Sequence, residues 1–329
     1  MNIKVRTATI ASAVFAGTLA IENAAAQPMS AYPTKPIRVI AHSPPGGAPD
    51  VVARIIGERL AAALGQAVIV ENRTGASGTI ALAAVAKAHA DGYTLGTMSP
   101  PQAVAPSLLS QLPYDTARDL APVRQTTRAS MILVVRAGSP FDSVSELVAA
   151  AKRQPGRLTY ASAAIGAPQH LAAEVFKRDA GVDIHHVPYK GAPAAAAALL
   201  GGEVDLLFTT PVAVGAHVRS GKLRPLATTG PSRMAAFPDV PTLAESGFVG
   251  FDVRDWQGLV APAQTPKPVI ERIAAEVAKV LAQPEVAERL AGVGLEPVAD
   301  SDPAAFGVFI RSELERWAKV VREAGIRAN

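Results

Sequence analysis

Residues 37–70 read IRVIAHSPPGGAPDVVARIIGERLAAALGQAVIV, and this stretch decides the fold. Ile37–Ala41 is a short apolar run rich in β-branched residues, which predicts a buried strand. Pro44-Pro45-Gly46-Gly47 breaks it. Pro49 and Asp50 then open a helix to Leu64, because proline suits the first helical turn and an acid complements its partial positive charge. Val51, Val52, Ile55, Ile56, Leu60 and Ala63 make its apolar face, and Gly65 stops it. Ala67–Val70 is the next strand. A strand–loop–helix–strand unit of this kind predicts a parallel sheet with helices on its faces.

Downstream the rhythm continues. Gly75-Ala76-Ser77-Gly78 leads into a helix over Thr79–Ala90, followed by a strand at Tyr93–Met98. After a proline-rich stretch a second set begins. Strands are predicted at Met131–Val135, Leu158–Ala161, Ile184–Val187, Val204–Phe208 and Leu223–Thr228. Helices are predicted from Ser143 to Arg153, with Ser143 and Glu146 as a capping box, and over Gln169–Asp179 and Ala192–Leu200. Past Trp256 the chain reads as helical, with starts at Pro266, Pro284 and Pro303. The last helix carries Phe306, Phe309, Ile310, Leu314, Trp317 and Val321 inward and stops at Gly325. Two α/β sets predict two lobes with a cleft between them.

Upstream, Lys4 and Arg6 precede an uncharged apolar run from Ala8 to Ile21, and Ala24-Ala25-Ala26 offers small residues for cleavage before Gln27. This is the layout of a secretory signal peptide over residues 1–26. The apolar run is too short to cross a bilayer, which takes about 20 residues. No later stretch qualifies, since the uncharged run from Gly92 to Tyr114 is broken by four prolines. The expected product is exported and not membrane-embedded.

The composition narrows the function. Of the 329 residues, 49% are hydrophobic and 18% charged, enough for a packed core. The net charge is only +4, and aromatics are 5%, so the basic, aromatic-lined groove of a nucleic-acid binder is not expected. With no cysteine there are no disulfides, thiolate metal sites or Cys nucleophiles. Enzyme motifs fail on inspection. Gly75-Ala76-Ser77-Gly78-Thr79 lacks the last glycine of G-x-S-x-G. Leu223 follows Gly221-Lys222 where a P-loop needs Ser or Thr, and Gly292-Val293-Gly294 lacks a third glycine. His170 with Glu174, and His185-His186, match no zinc spacing. No metal or other cofactor is expected.

In open α/β sheets, ligands sit beyond the carboxyl ends of the strands. The sequence places its small and hydroxyl residues there, at His42–Ala48, Thr74–Thr79, Ser99–Pro101, Ser162–Pro168, Pro188–Ala192 and Thr209–Pro211. Several of these loops run into helix N-termini, whose free N–H groups suit a carboxylate.

Tyr32-Pro33-Thr34-Lys35-Pro36-Ile37, Pro45-Gly46-Gly47 with Asp50 and Ala53-Arg54, and Val70-Glu71-Asn72-Arg73 form one run of motifs. Asp91-Gly92-Tyr93-Thr94-Leu95, Leu112-Pro113-Tyr114-Asp115, Val187-Pro188-Tyr189-Lys190-Gly191 and Pro238-Asp239-Val240-Pro241-Thr242 continue it, in order, to Trp256 and Ala261-Pro262. The whole resembles the Bug family, periplasmic receptors of tripartite tricarboxylate transporters. The resemblance implies an α/β, two-lobed type II periplasmic-binding-protein fold, with lobe 1 at 27–130 plus 253–329 and lobe 2 at 131–252. It implies a small organic acid as ligand, the membrane components of such a transporter as partners, and a monomer.

Carried over by position, the first-lobe grip is Ser43, Gly47 and Ala48. The second-lobe grip is Ser162, Ala163, Gly166 and His170, with Thr209 nearby; Ser99 joins them from its strand-end loop. His42, Ser43, Ser77 and Ala81 depart from the usual family pattern. Plainer roles compete: Gly47 as a turn residue, His170 as support, Asp50 as a helix-end acid, Lys190 as a solvated charge and Trp256 as hinge packing. A secreted hydrolase or lyase on the same scaffold, or a sensory receptor serving a membrane kinase, stays open.

Overall fold

The computed structural model describes residues 32–109 and 111–326, so the expected signal segment 1–26 lies outside the described residues. The opening stretch folds as read, into β1 (Ile37–Ala41), α1 (Ala48–Leu64) and β2 (Val68–Asn72). Val52, Ile55, Ile56 and Leu60 are buried on α1, with Leu64 in the place expected for Ala63. Gly65 ends α1 in a left-handed conformation. There follow α2 (Thr79–Ala86), β3 (Thr94–Met98), α3 (Pro100–Leu108), β4 (Leu120–Ser130), β5 (Ile132–Arg136), α4 (Val144–Arg153), β6 (Thr159–Ser162) and α5 (Pro168–Ala180). Then come β7 (His185–Pro188), α6 (Ala192–Gly201), β8 (Leu206–Thr209), α7 (Pro211–Arg219), β9 (Leu223–Thr228) and β10 (Arg254–Pro262). The chain ends with α8 (Lys267–Leu281), α9 (Pro284–Gly292), β11 (Glu296–Pro297) and α10 (Pro303–Ala324).

The strands form two sheets, one in the order β11-β4-β10-β3-β1-β2 and one in the order β7-β6-β8-β5-β9. Each is the centre of a lobe. The sheets are mixed, not purely parallel as expected. β1 runs parallel to β2 and β3, and β6 to β7 and β8, but β10 and β5 run antiparallel to their neighbours. The cause is the crossing between sheets: β4 passes straight into β5, and the chain returns after β9 to enter β10. Where they cross, the segments are bonded together. Met131 N–H donates to Thr229 Oγ1 at 2.9 Å, Thr229 N–H to the Met131 carbonyl at 2.9 Å, and Val253 N–H to the Thr229 carbonyl at 3.2 Å.

Five elements escaped the sequence reading: α3, β4, α7, β10 and β11. The proline-rich stretch holds α3, because Pro100 and Pro101 sit in the first turn, where an N–H has no helical partner. β4 reads as polar because Arg124 is buried; its guanidinium donates to the carbonyls of Ala299 (2.7 Å), Val298 (3.2 Å) and Ser301. The segment after Trp256 is the strand β10, not a helix. Gly258 in its centre leaves no room for a side chain, since a Cβ there would run into the Phe306 ring of α10. Trp256 packs edge-on against Phe306 (5.9 Å) and Phe309 (5.3 Å) and donates from Nε1 to Glu313 at 2.9 Å. Trp256 is therefore hinge packing. One core cluster joins Met98 and Val260 of the first sheet to Leu133, Tyr160 and Phe208 of the second, together with Trp317 of α10.

Candidate functional site

On the first lobe, the loop after β1 is held by Asp50, which is 2% exposed. Its carboxylate accepts from Gly46 N–H (2.9 Å), Arg54 Nε (2.9 Å) and Asn72 Nδ2 (2.8 Å), while Asn72 Nδ2 also reaches the Ser43 carbonyl (2.9 Å). Burial works against the charge, but these donors hold the carboxyl below its ordinary range. Gly47 N–H closes a turn onto the Pro44 carbonyl at 3.1 Å. Ala48 opens α1, and the first-turn N–H groups of a helix have no intrahelical acceptor.

A second network lies below the ends of β1 and β3. His42 Nδ1 is 2.8 Å from Thr97 Oγ1, and its Nε2 is 2.9 Å from Ser99 Oγ. Gln102 Oε1 accepts from Ser99 N–H (2.8 Å), and Gln102 Nε2 donates to the Ser77 carbonyl. Burial lowers the His42 pKa to about 4 against the opposing bond to Thr97. The network ends on a strained loop, since Ala76 (φ 45°) and Ser77 (φ 54°) are both left-handed without being glycine. Such conformations persist only where surroundings impose them, and they concentrate at functional sites.

On the second lobe, two stacked imidazoles brace the loop between β6 and α5. His170 and His186 have ring centroids 4.1 Å apart, and His186 stacks on Tyr160 at 4.7 Å. His170 Nδ1 accepts from Gly166 N–H at 3.0 Å. His186 Nε2 meets Ser162 Oγ at 2.6 Å, and Ser162 Oγ donates to the Ala164 carbonyl at 3.0 Å. The hydrogen-bond network thus assigns a bare Nδ1 to His170 and a protonated Nε2 to His186. Tyr160 Oη donates to Glu174 (2.6 Å), which also accepts from Lys177 (2.8 Å). Burial, reinforced by Lys177, pushes the His170 pKa down to about 4. Burial and the neighbouring His170 do the same to His186.

The two lobes meet across a cavity of about 240 Å³, lined by Ala76, Ser77, Pro101 and Leu108 on one side and Ile165 and Gly166 on the other. Gly166 has φ 74°, and a Cβ there would sit 3.0 Å from Leu108 Cδ1, so glycine permits both the turn and the approach. Among the described residues no cluster of His, Cys, Asp or Glu could hold a metal ion. The architecture is therefore a cleft between paired α/β lobes, entered by loops that run into helix N-termini.

Residues 52–326 match the Tripartite tricarboxylate transporter family receptor. The chain belongs to that family. BugT of Bordetella pertussis is 40% identical over 306 residues, 92% of this chain and 94% of that protein. An R. palustris protein solved with adipate superimposes with TM-score 0.78 at 33% identity, covering 90% of this chain and 100% of that one. MatC from Rhodopseudomonas palustris with bound malate gives 0.75 at 32% identity, covering 88% and 100%. These receptors share the two-lobed fold.

Within the receptor frame, the sequence-predicted residues fall into separate groups. Ser43 and Gly47 lie in the loop into α1 and Ala48 opens that helix; Ser162 ends β6, Ala163 and Gly166 lie in the loop into α5, and His170 is in the first turn of α5. Only Gly166 lines the 240 Å³ cavity itself. Ser99, Ser162 and His170 are buried, with their polar atoms engaged in holding loops. Thr209 lies on the other face of its sheet from Ser162, because it stands two positions beyond Leu207, the partner of Ala161, and so shares Ala161's face. Its hydroxyl is buried without a partner. Lys190 is exposed. Sequence reasoning missed Gln102, Leu108, Ile165 and the brace role of His186. The HH pair offered a signal: in a strand the two side chains point oppositely, so one had to face inward.

Proposed function

We propose that this receptor captures a small carboxylated solute in the periplasm and delivers it to the membrane components of a tripartite tricarboxylate-type transporter, without transforming it. The observation that carries this reading is the cavity at which the lobes meet, walled by the loop before α2, by α3 itself and by the loop into α5. First-turn N–H groups and small hydroxyls grip a carboxylate by charge-assisted bonds, with no dedicated arginine. Adipate and malate in the related structures agree with that ligand class.

The proposed grip uses Ser43 and the N–H groups near Gly47 and Ala48 on one lobe. On the other it uses the Ala163–Gly166 backbone and the free Thr209 hydroxyl. Ser99, Ser162 and His170 hold those loops in shape. The lobe boundaries are proposed at 130/131 and 252/253, where the crossing segments are bonded together. A cleaved signal over residues 1–26 and a monomeric mature protein complete the proposal.

Melting curves of the mature protein across organic acids and neutral sugars test it. An acid near 100 times its dissociation constant raises stability by about 2.7 kcal/mol. A response to sugars alone sinks the reading.

A further inference from the structure

Val212 lies in the first turn of α7, close after Thr209 at the end of β8. Val214 of the same helix is fully buried in the core of the second lobe, whereas Val212 is 63% exposed. What Val212 meets belongs to the other lobe. A Cβ placed on Gly294, in the turn between α9 and β11, would stand 2.7 Å from Val212 Cγ2, well inside the optimal separation of two carbons. The Val212 backbone nitrogen and Cβ are 3.9 and 4.0 Å from that point, ordinary contact distances. Only the branch of the valine closes onto the glycine.

Gly294 has φ 72°, and its N–H donates to the Ala291 carbonyl at 2.9 Å, as suits the turn that ends α9. That accounts for a left-handed residue; it does not account for a valine of the opposite lobe resting on it. The turn leads into β11, where Glu296 pairs with Arg128, just before β4 crosses into β5. The contact therefore lies at the root of the cleft. Leu108 and Gly166 make the reciprocal one: there the aliphatic branch comes from the first lobe and the left-handed glycine (φ 74°) from the second. Gly166 lines the 240 Å³ cavity, but neither Val212 nor Gly294 does.

We infer that Val212 and Gly294 form a closing contact of the receptor, made when the lobes come together, and that this pair sets the affinity for the solute without touching it. The inference rests on the solute-receptor reading above and adds to it two positioning residues. With the lobes apart, Val212 stands in water; with the lobes together, its branch is covered by the Gly294 backbone, which favours the closed form. A solute held by both lobes binds the closed form, so apparent affinity follows the fraction of receptor able to close. A side chain at position 294 would prop the lobes apart, because packed contacts do not absorb an extra carbon.

The test titrates malate, adipate, succinate and citrate calorimetrically into ligand-stripped mature protein and carries forward the tightest. Gly294→Ala should bind that acid roughly 5- to 150-fold more weakly, the range for an overpacked contact. At saturation its small-angle scattering radius should stay larger than that of wild type. Gly221→Ala is the control for backbone strain alone, since Gly221 has φ 70° and nothing within 4 Å of its Cβ position; it should bind like wild type. Val212→Ala should melt like wild type when empty and bind about 2- to 5-fold more weakly, for the apolar contact it loses. Adding Val212→Ala to Gly294→Ala should recover affinity to the level of Val212→Ala alone. A Gly294→Ala protein that binds no more weakly than Gly221→Ala, or a double variant with no recovery, overturns the inference and leaves the receptor reading standing. If Gly294→Ala does not fold, unchanged affinity in Val212→Ala overturns it in the same way. Failure of every acid to bind wild type overturns the receptor reading as well.

Discussion

Acid should loosen this protein in a pH window set by its buried histidines. His170 is 4% exposed, stacked on His186 and bonded through a bare Nδ1 to Gly166 N–H. Its pKa falls from 6.5 to about 4 in the fold. The unfolded chain takes up the proton near 6.5 and the folded one does not, so the stabilisation is complete above pH 6.5. It drains away as pH falls towards 4, and the loss then levels off. At 1.36 kcal/mol per pKa unit, His170 alone accounts for about 3 kcal/mol, a large share of a typical 5–15 kcal/mol stability. His42 and His186, both also lowered to about 4, act with the same sign. Urea unfolding in steps across that window, on wild type, His170→Gln and His186→Phe, measures the effect. Glutamine keeps an acceptor for Gly166 and phenylalanine keeps the stack, so each variant should flatten the pH slope by about one proton. A wild-type stability that stays level between pH 6.5 and about 4 refutes the reasoning, as does an unchanged slope in His170→Gln.

Three substitutions probe the fold and the loops. Gly258→Ala drives a Cβ into the Phe306 ring and should cost about 1–3 kcal/mol by overpacking, read from the urea midpoint. Gly166→Ala meets Leu108 at 3.0 Å and forces alanine into φ 74°, costing about 1–2 kcal/mol; affinity for the acid should fall further, and Leu108→Ala should restore part of it in calorimetry. Ser162→Ala strips the partner from His186 Nε2 and frees the Ala164 carbonyl, costing about 1–3 kcal/mol of stability in thermal unfolding and weakening acid binding in the same preparation.

Much of the fold was legible because local rules and tertiary packing agree. β1 and α1 carry clean periodicity, and Gly65, Gly202 and Gly325 end helices where a left-handed residue is needed. β4 was not legible because Arg124 is buried by carbonyls that arrive from residues 298–301, distant in sequence. β10 was hidden because its reversed direction follows from the lobe crossing, a property of topology. For the site, the loops into α1 and α5 could be read from their small residues. The supports could not: Gln102 reaches Ser77 and His186 reaches Ser162 only once the strands are aligned.

Native mass spectrometry of stripped, refolded mature protein tests the receptor claim most directly. The protein is sprayed against an equimolar pool of amino, hydroxy and plain organic acids, and separately against neutral sugars. The expected spectrum shows a single one-to-one adduct with the mass of one acid and no sugar adduct. A bare protein in the acid pool, or an adduct only with sugars, contradicts the claim that the cleft exists to hold a small carboxylate.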